Sequence, residues 1–148
     1  MKAELLSAVP ARPEDAALLA ALEQEGFSDP WSENGLLSSL SSPLSYIRLA
    51  KRGEEVLGYL IASMVLDEGE LLRIAVRPAC RMEGVGRFLL RTMLQENPGI
   101  AVWRLDVRES NDAARKLYEK EGFRPVIRRR GYYEKPAEDG IMMMREVR

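Results

Sequence analysis

The sequence contains no histidine, and this absence bounds its chemistry tightly. Without imidazole there is no Ser-His-Asp or Cys-His relay, and the common His-containing zinc sites are excluded. Cysteine occurs once, at Cys80. An intramolecular disulfide is therefore excluded, no metal site is expected, and a reducing, cytoplasmic setting is the expectation. Neither sign of charge dominates: 22 Lys plus Arg against 23 Asp plus Glu leave a formal net charge of −1. No global basic field would gather nucleic acid or an anionic membrane, and neither is expected as a direct partner. Long apolar runs are missing too, since none approaches the ~18 residues of a membrane span. The opening stretch Met1–Pro10 is interrupted by Glu4 and followed at once by Arg12, Glu14 and Asp15. It reads as a first strand rather than a targeting segment.

What is present suits one domain over residues 1–148, with 46% apolar and 30% charged residues. A monomer is the expected state. Chemistry must come from carboxylates, tyrosine, lysine, serine, the lone thiol or bare backbone.

Leu5–Val9 reads as a strand. Pro13, Glu14 and Asp15 suit a helix start, Ala16, Leu18, Leu19 and Leu22 give its apolar face, and Gly26 ends it. After the loop Asp29-Pro30-Trp31-Ser32, Ser32 caps a short helix through Leu36, Leu37 and Leu40. Tyr46–Lys51 and Val56–Val65 form a hairpin, Asp67-Glu68-Gly69 a turn, and Glu70–Val76 an apolar strand. A helix from Arg87 to about Glu96 ends at Asn97-Pro98-Gly99. Ile100–Val107 is a strand, Ala113–Glu121 a helix, and Arg124–Arg130 and Ile141–Glu146 the last two strands. The order β-α-α-β-β-β-α-β-α-β-β predicts a mixed α/β (α+β) domain.

The segment Ile74-Ala75-Val76 followed by Arg81-Met82-Glu83-Gly84-Val85-Gly86-Arg87 joins an apolar strand to a helix through glycines. Free N–H groups and the helix dipole favour an anion there, and glycine allows close approach. No Gly-Lys-Ser/Thr follows, so this is not a Walker loop, and Leu89 replaces the third glycine of a dinucleotide fingerprint.

Arg81-x-x-Gly84-x-Gly86 resembles the acetyl-CoA pyrophosphate loop of the GCN5-related N-acetyltransferases. Leu105-Asp106-Val107-Arg108-x-Ser110-Asn111 with Leu117-Tyr118 and Gly122-Phe123 resembles another segment of that family. Asp29-Pro30-Trp31-Ser32-Glu33, Arg128–Tyr133 and Glu138–Met143 resemble the bacterial ribosomal-protein-alanine N-acetyltransferases (RimI type). The likeness runs from about Pro13 to Met144 and is weakest between Leu37 and Gly58.

The resemblance implies a mostly antiparallel central sheet flanked by helices, with acetyl-CoA as co-substrate at splayed central strands. It implies direct transfer to the N-terminal amine of a protein beginning with Ala, a small-subunit ribosomal protein being the natural acceptor. Ile74, Ala75, Val76, the loop residues Arg81 to Arg87 and Asn111 would hold the cofactor. Asp106 would be the base, standing where the family has Glu, and Tyr118 the acid that protonates the departing sulfur. Glu83 departs from the basic residue often found in such loops.

Glu68 and Glu70 are rival bases, and Cys80 reads as a packing thiol. Trp31, Tyr132 and Tyr133 are candidates for a peptide groove or for packing, and Arg128-Arg129-Arg130 reads as a solvated edge. Two alternatives stay open. One is acetylation of a small amine or of a broader set of protein N-termini; the other is a non-catalytic acyl-CoA-binding module.

Overall fold

A computed structural model describes residues 5–146. The part of the opening stretch from Met1 to Glu4 lies outside the described residues. The strands are β1 (Leu6–Pro10), β2 (Ser45–Arg52), β3 (Glu55–Val65), β4 (Glu68–Val76), β5 (Val102–Arg108), β6 (Arg124–Glu134) and β7 (Ala137–Glu146). The helices are α1 (Ala16–Gly26), α2 (Glu33–Leu40), α3 (Val85–Glu96) and α4 (Asp112–Lys120). The strands form one seven-stranded sheet in the order β1-β2-β3-β4-β5-β7-β6. Among the described residues, only the central pair β4–β5 is parallel. The predicted element order and the mixed, mostly antiparallel sheet are thus observed.

Several boundaries differ, each for a local reason. Glu68-Gly69 is strand rather than turn; the reversal is made by Leu66 and Asp67, with Leu66 at φ 57°. Gly69 is there for packing, because a Cβ on it would lie 2.4 Å from the Trp103 ring. Ile100 and Ala101 precede β5, their N–H groups donating to the carbonyls of Asn97 and Asp67. The last two strands are longer than predicted. Their pairing shifts register between Arg129 and Tyr133, around Gly131 at φ 60°, and then resumes at Tyr133. That irregularity breaks the alternation from which strand ends are read.

Two apolar layers cover the sheet. Leu19 and Leu22 of α1 and Leu36 of α2 pack with Ile47, Leu49, Tyr59 and Ile61 on one face. On the other, α3 places Val85, Leu89, Leu90 and Met93 against Leu57, Leu60, Leu71, Trp103 and Leu105. Each such buried large side chain stabilises the fold by roughly 1.5–3 kcal/mol. The Ser32 cap holds, its Oγ accepting from the Gly35 N–H at 3.0 Å. The predicted face of α1 needs one correction: Leu18 is exposed, and Glu23 is buried instead.

The feature that positions the site is a bulge. Ile61 pairs with Arg73 and Ala62 with Leu71, so Leu72 is the extra residue in β4. The bulge reverses side-chain parity. Leu71 and Ile74 both face the α3 layer, while Ala75 joins the α1 layer. The sheet also opens here. The β4–β5 register runs only from Glu68↔Val102 to Leu71↔Leu105, after which the two strands part.

Candidate active site

Beyond Leu71, strand β4 has β3 on one side and, among the described residues, no strand partner on the other. The Arg77 N–H donates to the Leu57 carbonyl at 2.9 Å. By alternation, Arg73 and Ala75 present their backbone groups to β3, and Ile74 and Val76 present theirs to the opening. The Val76 carbonyl is met there by Arg81 Nε at 3.3 Å. A strand edge of this kind can pair with an extended amide-bearing ligand.

The opening continues into a cleft of about 760 Å3 lined by Ile74, Ala75, Val76, Arg81, Met82, Gly84, Val85, Gly86, Arg87 and Asn111. These are the residues the sequence proposes for the cofactor, except Glu83. The Glu83 carboxylate pairs with Arg52 at 2.8 Å and does not line the cleft. The carboxylate that would repel a pyrophosphate is therefore held on β2.

The cleft fits a phosphorylated ligand by its own geometry. Gly84 caps α3 at φ 80°, with nothing within 4 Å of the position of a Cβ, and Met82 is also left-handed at φ 69°. The helix proper begins at Val85, so its first N–H groups lack intrahelical acceptors and face an open approach. Arg77, Arg81, Arg87, Lys116 and Lys120 supply positive charge around the cleft. Cys80 is buried in the turn Pro78–Cys80 and contributes to the wall.

A second cavity of about 470 Å3 adjoins the first. It is lined by Phe27, Ser28, Asp29 and Trp31 from the α1–α2 loop, Glu70 to Ile74 from β4, Asp106 to Arg108 from β5, and Tyr132 and Tyr133. Gly26, Phe27, Ile74, Asn111 and Tyr118 line both cavities and mark their junction. The three aromatic candidates Trp31, Tyr132 and Tyr133 are all in this groove.

Asp106 lies one residue past the last β4–β5 register pair, at the mouth of the opening. Its Oδ1 accepts from Arg129 Nε at 2.7 Å, and its Oδ2 accepts from the Tyr132 hydroxyl at 3.4 Å. Tyr118 is buried on α4, its ring 5.9 Å from that of Phe123. Burial, and secondarily the neighbouring Tyr133, push its phenol well above the ordinary tyrosine value, so it keeps its proton. Tyr133 is pushed up to about 12 by burial and by the charge of Asp106. Asn111 caps α4, its Oδ1 accepting from the Ala114 N–H at 3.2 Å.

The rival bases separate clearly. Glu68 pairs with Arg104 and does not line the groove. Glu70 lines it, but at the register of Arg104, where the strands are still joined. Of the basic run, Arg129 holds Asp106, Arg128 pairs with Glu109 and Asp139, and Arg130 is exposed on the edge strand.

Sequence reasoning missed Glu23 and Arg73. Glu23 is fully buried, and its carboxylate accepts from Arg73 at 2.9 Å, Tyr59 at 2.5 Å and the Trp31 N–H at 2.8 Å. Two signals were available. Glu23 recurs on the Ala16–Leu19 face of α1, and Arg73 is a lone cation in an otherwise apolar run.

Among the described residues, no group of His, Cys, Asp and Glu could hold a metal ion, and no helix is long and apolar enough to cross a membrane.

Comparison with known proteins agrees with this geometry. Residues 15–123 match the acetyltransferase (GNAT) family model. The [ribosomal protein bS18]-alanine N-acetyltransferase of Escherichia coli K12 is 38% identical over 121 residues, covering 80% of each chain. An N-alpha-acetyltransferase RimI of Mycobacterium tuberculosis is 37% identical over 138 residues, covering 89% of this chain and 87% of that one. The crystal structure of the Escherichia coli ribosomal-protein-S18-alanine enzyme superposes with a TM-score of 0.90 at 31% identity, covering 97% of this chain and 94% of that one. A central pair of strands that parts beside a glycine-capped helix, and sequence likeness over four-fifths of the chain, make this protein a member of the acetyltransferase (GNAT) family.

Proposed function

We propose that the protein transfers acetyl from acetyl-CoA to the α-amine of a protein beginning with Ala, in one direct step. The acceptor class follows the relatives named for ribosomal protein bS18 alanine. The observation that carries the reading is the meeting of two cavities at Tyr118, with Asp106 on the side away from the glycine-capped helix.

The N–H groups that open α3, the backbone edge of Ile74 and Val76, and the arginines of the cleft bind the donor and orient its thioester toward Tyr118. Asp106 takes the proton of the α-ammonium, directly or through a water. The neutral amine attacks the thioester carbonyl, the new C–N bond forms and the C–S bond breaks. Tyr118 gives its proton to the departing sulfur, and the second proton of the attacking nitrogen leaves through solvent water, which restores the phenol. An α-amine suits a modest base, because its reference pKa is about 7.7–8.0 against about 10.4 for lysine. Asp106 rather than Glu70 is the base in this scheme, since it stands where the strands have parted.

Thiol release from acetyl-CoA tests the proposal. Release should depend on a peptide with a free Ala terminus and should fail with the same peptide blocked at its amine. Release driven equally by simple small amines would favour the small-amine alternative, and tight donor binding with no release would favour a binding module.

A further inference from the structure

The loop that walls the groove opposite β5 is tied at Ser28, whose hydroxyl donates to the Lys135 carbonyl at 2.5 Å, and its flanking residues Phe27, Asp29 and Trp31 gather on one buried ion pair. Arg73 Nη2 donates to Glu23 at 2.9 Å and to the Asp29 carbonyl at 2.8 Å. Its guanidinium lies 3.8 Å from the Phe27 ring centre and 5.3 Å from that of Trp31. From the other end, Glu23 accepts the Trp31 N–H, and the Glu23 carbonyl accepts the Phe27 N–H at 3.0 Å. Phe27, Asp29 and Trp31 are thus each fixed by the same two side chains. Arg73 reaches this face only because the Leu72 bulge shifts the parity of β4. Its Nε is buried without a hydrogen-bond partner among the described residues, a cost that marks the guanidinium plane as set by the two rings.

We infer that the Glu23–Arg73 pair is a positioning element that clamps residues 27–31, which wall the acceptor side with Phe27 at the junction with the donor cleft, so that acceptor affinity depends on it far more than donor affinity does. The inference rests on the proposed reading of the second cavity as the acceptor groove. Neither side chain takes part in proton transfer. A planar, five-donor guanidinium is needed, because one ammonium cannot bond Glu23, bond the Asp29 carbonyl and stack between two rings together.

The test compares the wild-type protein with Arg73→Lys, which keeps the charge, and with Tyr59→Phe, a milder change that removes one hydrogen bond to Glu23. Three quantities are read. They are hydrogen exchange of peptides covering 27–31 and 84–90 without acceptor, the acetyl-CoA Kd, and kcat and KM for an Ala-starting peptide. In both variants exchange should rise at 27–31 and stay unchanged at 84–90. In Arg73→Lys the acceptor KM should rise about tenfold, with kcat and donor Kd within about threefold of wild type, as expected when a reactant is held less well in place.

Unchanged exchange at 27–31 would overturn the inference. So would a collapse of kcat at unchanged KM, which would place Arg73 in the chemistry. Parallel loosening of both segments with weakened donor binding would make the pair a general support of the fold, and would overturn it too. A wild-type protein that binds acetyl-CoA but acetylates no α-amine would defeat the acceptor reading and the affinity claim together. The exchange data would then still decide the clamp.

Discussion

Arg129 Nε lies 2.7 Å from Oδ1 of Asp106, so the carboxylate proposed as the base is already held by a guanidinium. The Asp106 side chain is 14% exposed, and that of Arg129 41%. The arginine therefore lies on the solvent side of the pair, where an arriving ammonium can compete with it. Arg129→Gln should lower the acceptor KM severalfold by freeing Asp106, an effect that shrinks as salt screens the ion pair. Initial rates at low and high ionic strength would check this, and an acceptor KM that rises would show that Arg129 itself holds the acceptor.

Asp106→Asn should cut kcat by about 100-fold or more while leaving acetyl-CoA binding nearly intact. Glu70→Gln should change it by only a few-fold, since Glu70 lies on the joined part of the strands. Parallel kinetics of the two variants decide between the carboxylates. A near-normal rate for Asp106→Asn would transfer the role to Glu70.

Tyr118→Phe removes a hydroxyl that has no protein hydrogen bond among the described residues, while the ring keeps its packing on Phe123. The melting temperature should move little, and kcat should fall about 100-fold. Thermal unfolding and turnover of the same preparation separate this from simple destabilisation.

The cradle and the core make opposite demands of glycine. Gly84→Ala meets no neighbour, but at φ 80° it costs roughly 1–2 kcal/mol in the left-handed region, and it should weaken acetyl-CoA binding severalfold. Gly69→Ala drives a Cβ into the Trp103 ring at 2.4 Å and should cost about 1–3 kcal/mol of stability by overpacking. Denaturant titration and donor binding, measured on both variants, would show the two effects on different axes.

The chain should lose stability in alkali. Tyr46, Tyr59 and Tyr118 all have phenols raised above the ordinary 10.0, with burial the first cause in each. A pKa raised by folding contributes stability that is whole below the unfolded value and is lost as pH rises beyond it. Melting temperature should therefore hold to about pH 9–10 and fall above that. A flat profile through pH 11 would contradict the burial of these hydroxyls.

Local signals carried most of the fold. The Ser32 cap, the Asn97-Pro98-Gly99 stop and the glycines before α3 each act within a few residues, and each is where the sequence puts it. The Leu72 bulge acts between strands. It leaves Leu71 and Ile74 facing the same layer, which strict alternation does not foretell. The Glu23–Arg73 pair joins residues fifty positions apart, and Glu23 reads as an ordinary charge until the sheet brings Tyr59 and Arg73 around it. The proposal of Asp106 and Tyr118 as a pair rests on the family pattern, since neither strand alternation nor helix periodicity marks either for chemistry; the structure adds that both line the second cavity.

The central claim is direct transfer to a free N-terminal amine, and mass spectrometry of a peptide pair tests it most directly. One peptide begins with a free Ala and carries an internal lysine; the other is identical but blocked at its amine. With acetyl-CoA, the first should gain a single acetyl group of about 42 Da located on its terminal residue by fragmentation, and the second none, because the lower-pKa α-amine is the one a modest base can free. Acetyl on the lysine of both peptides, with the free terminus untouched, would contradict the account.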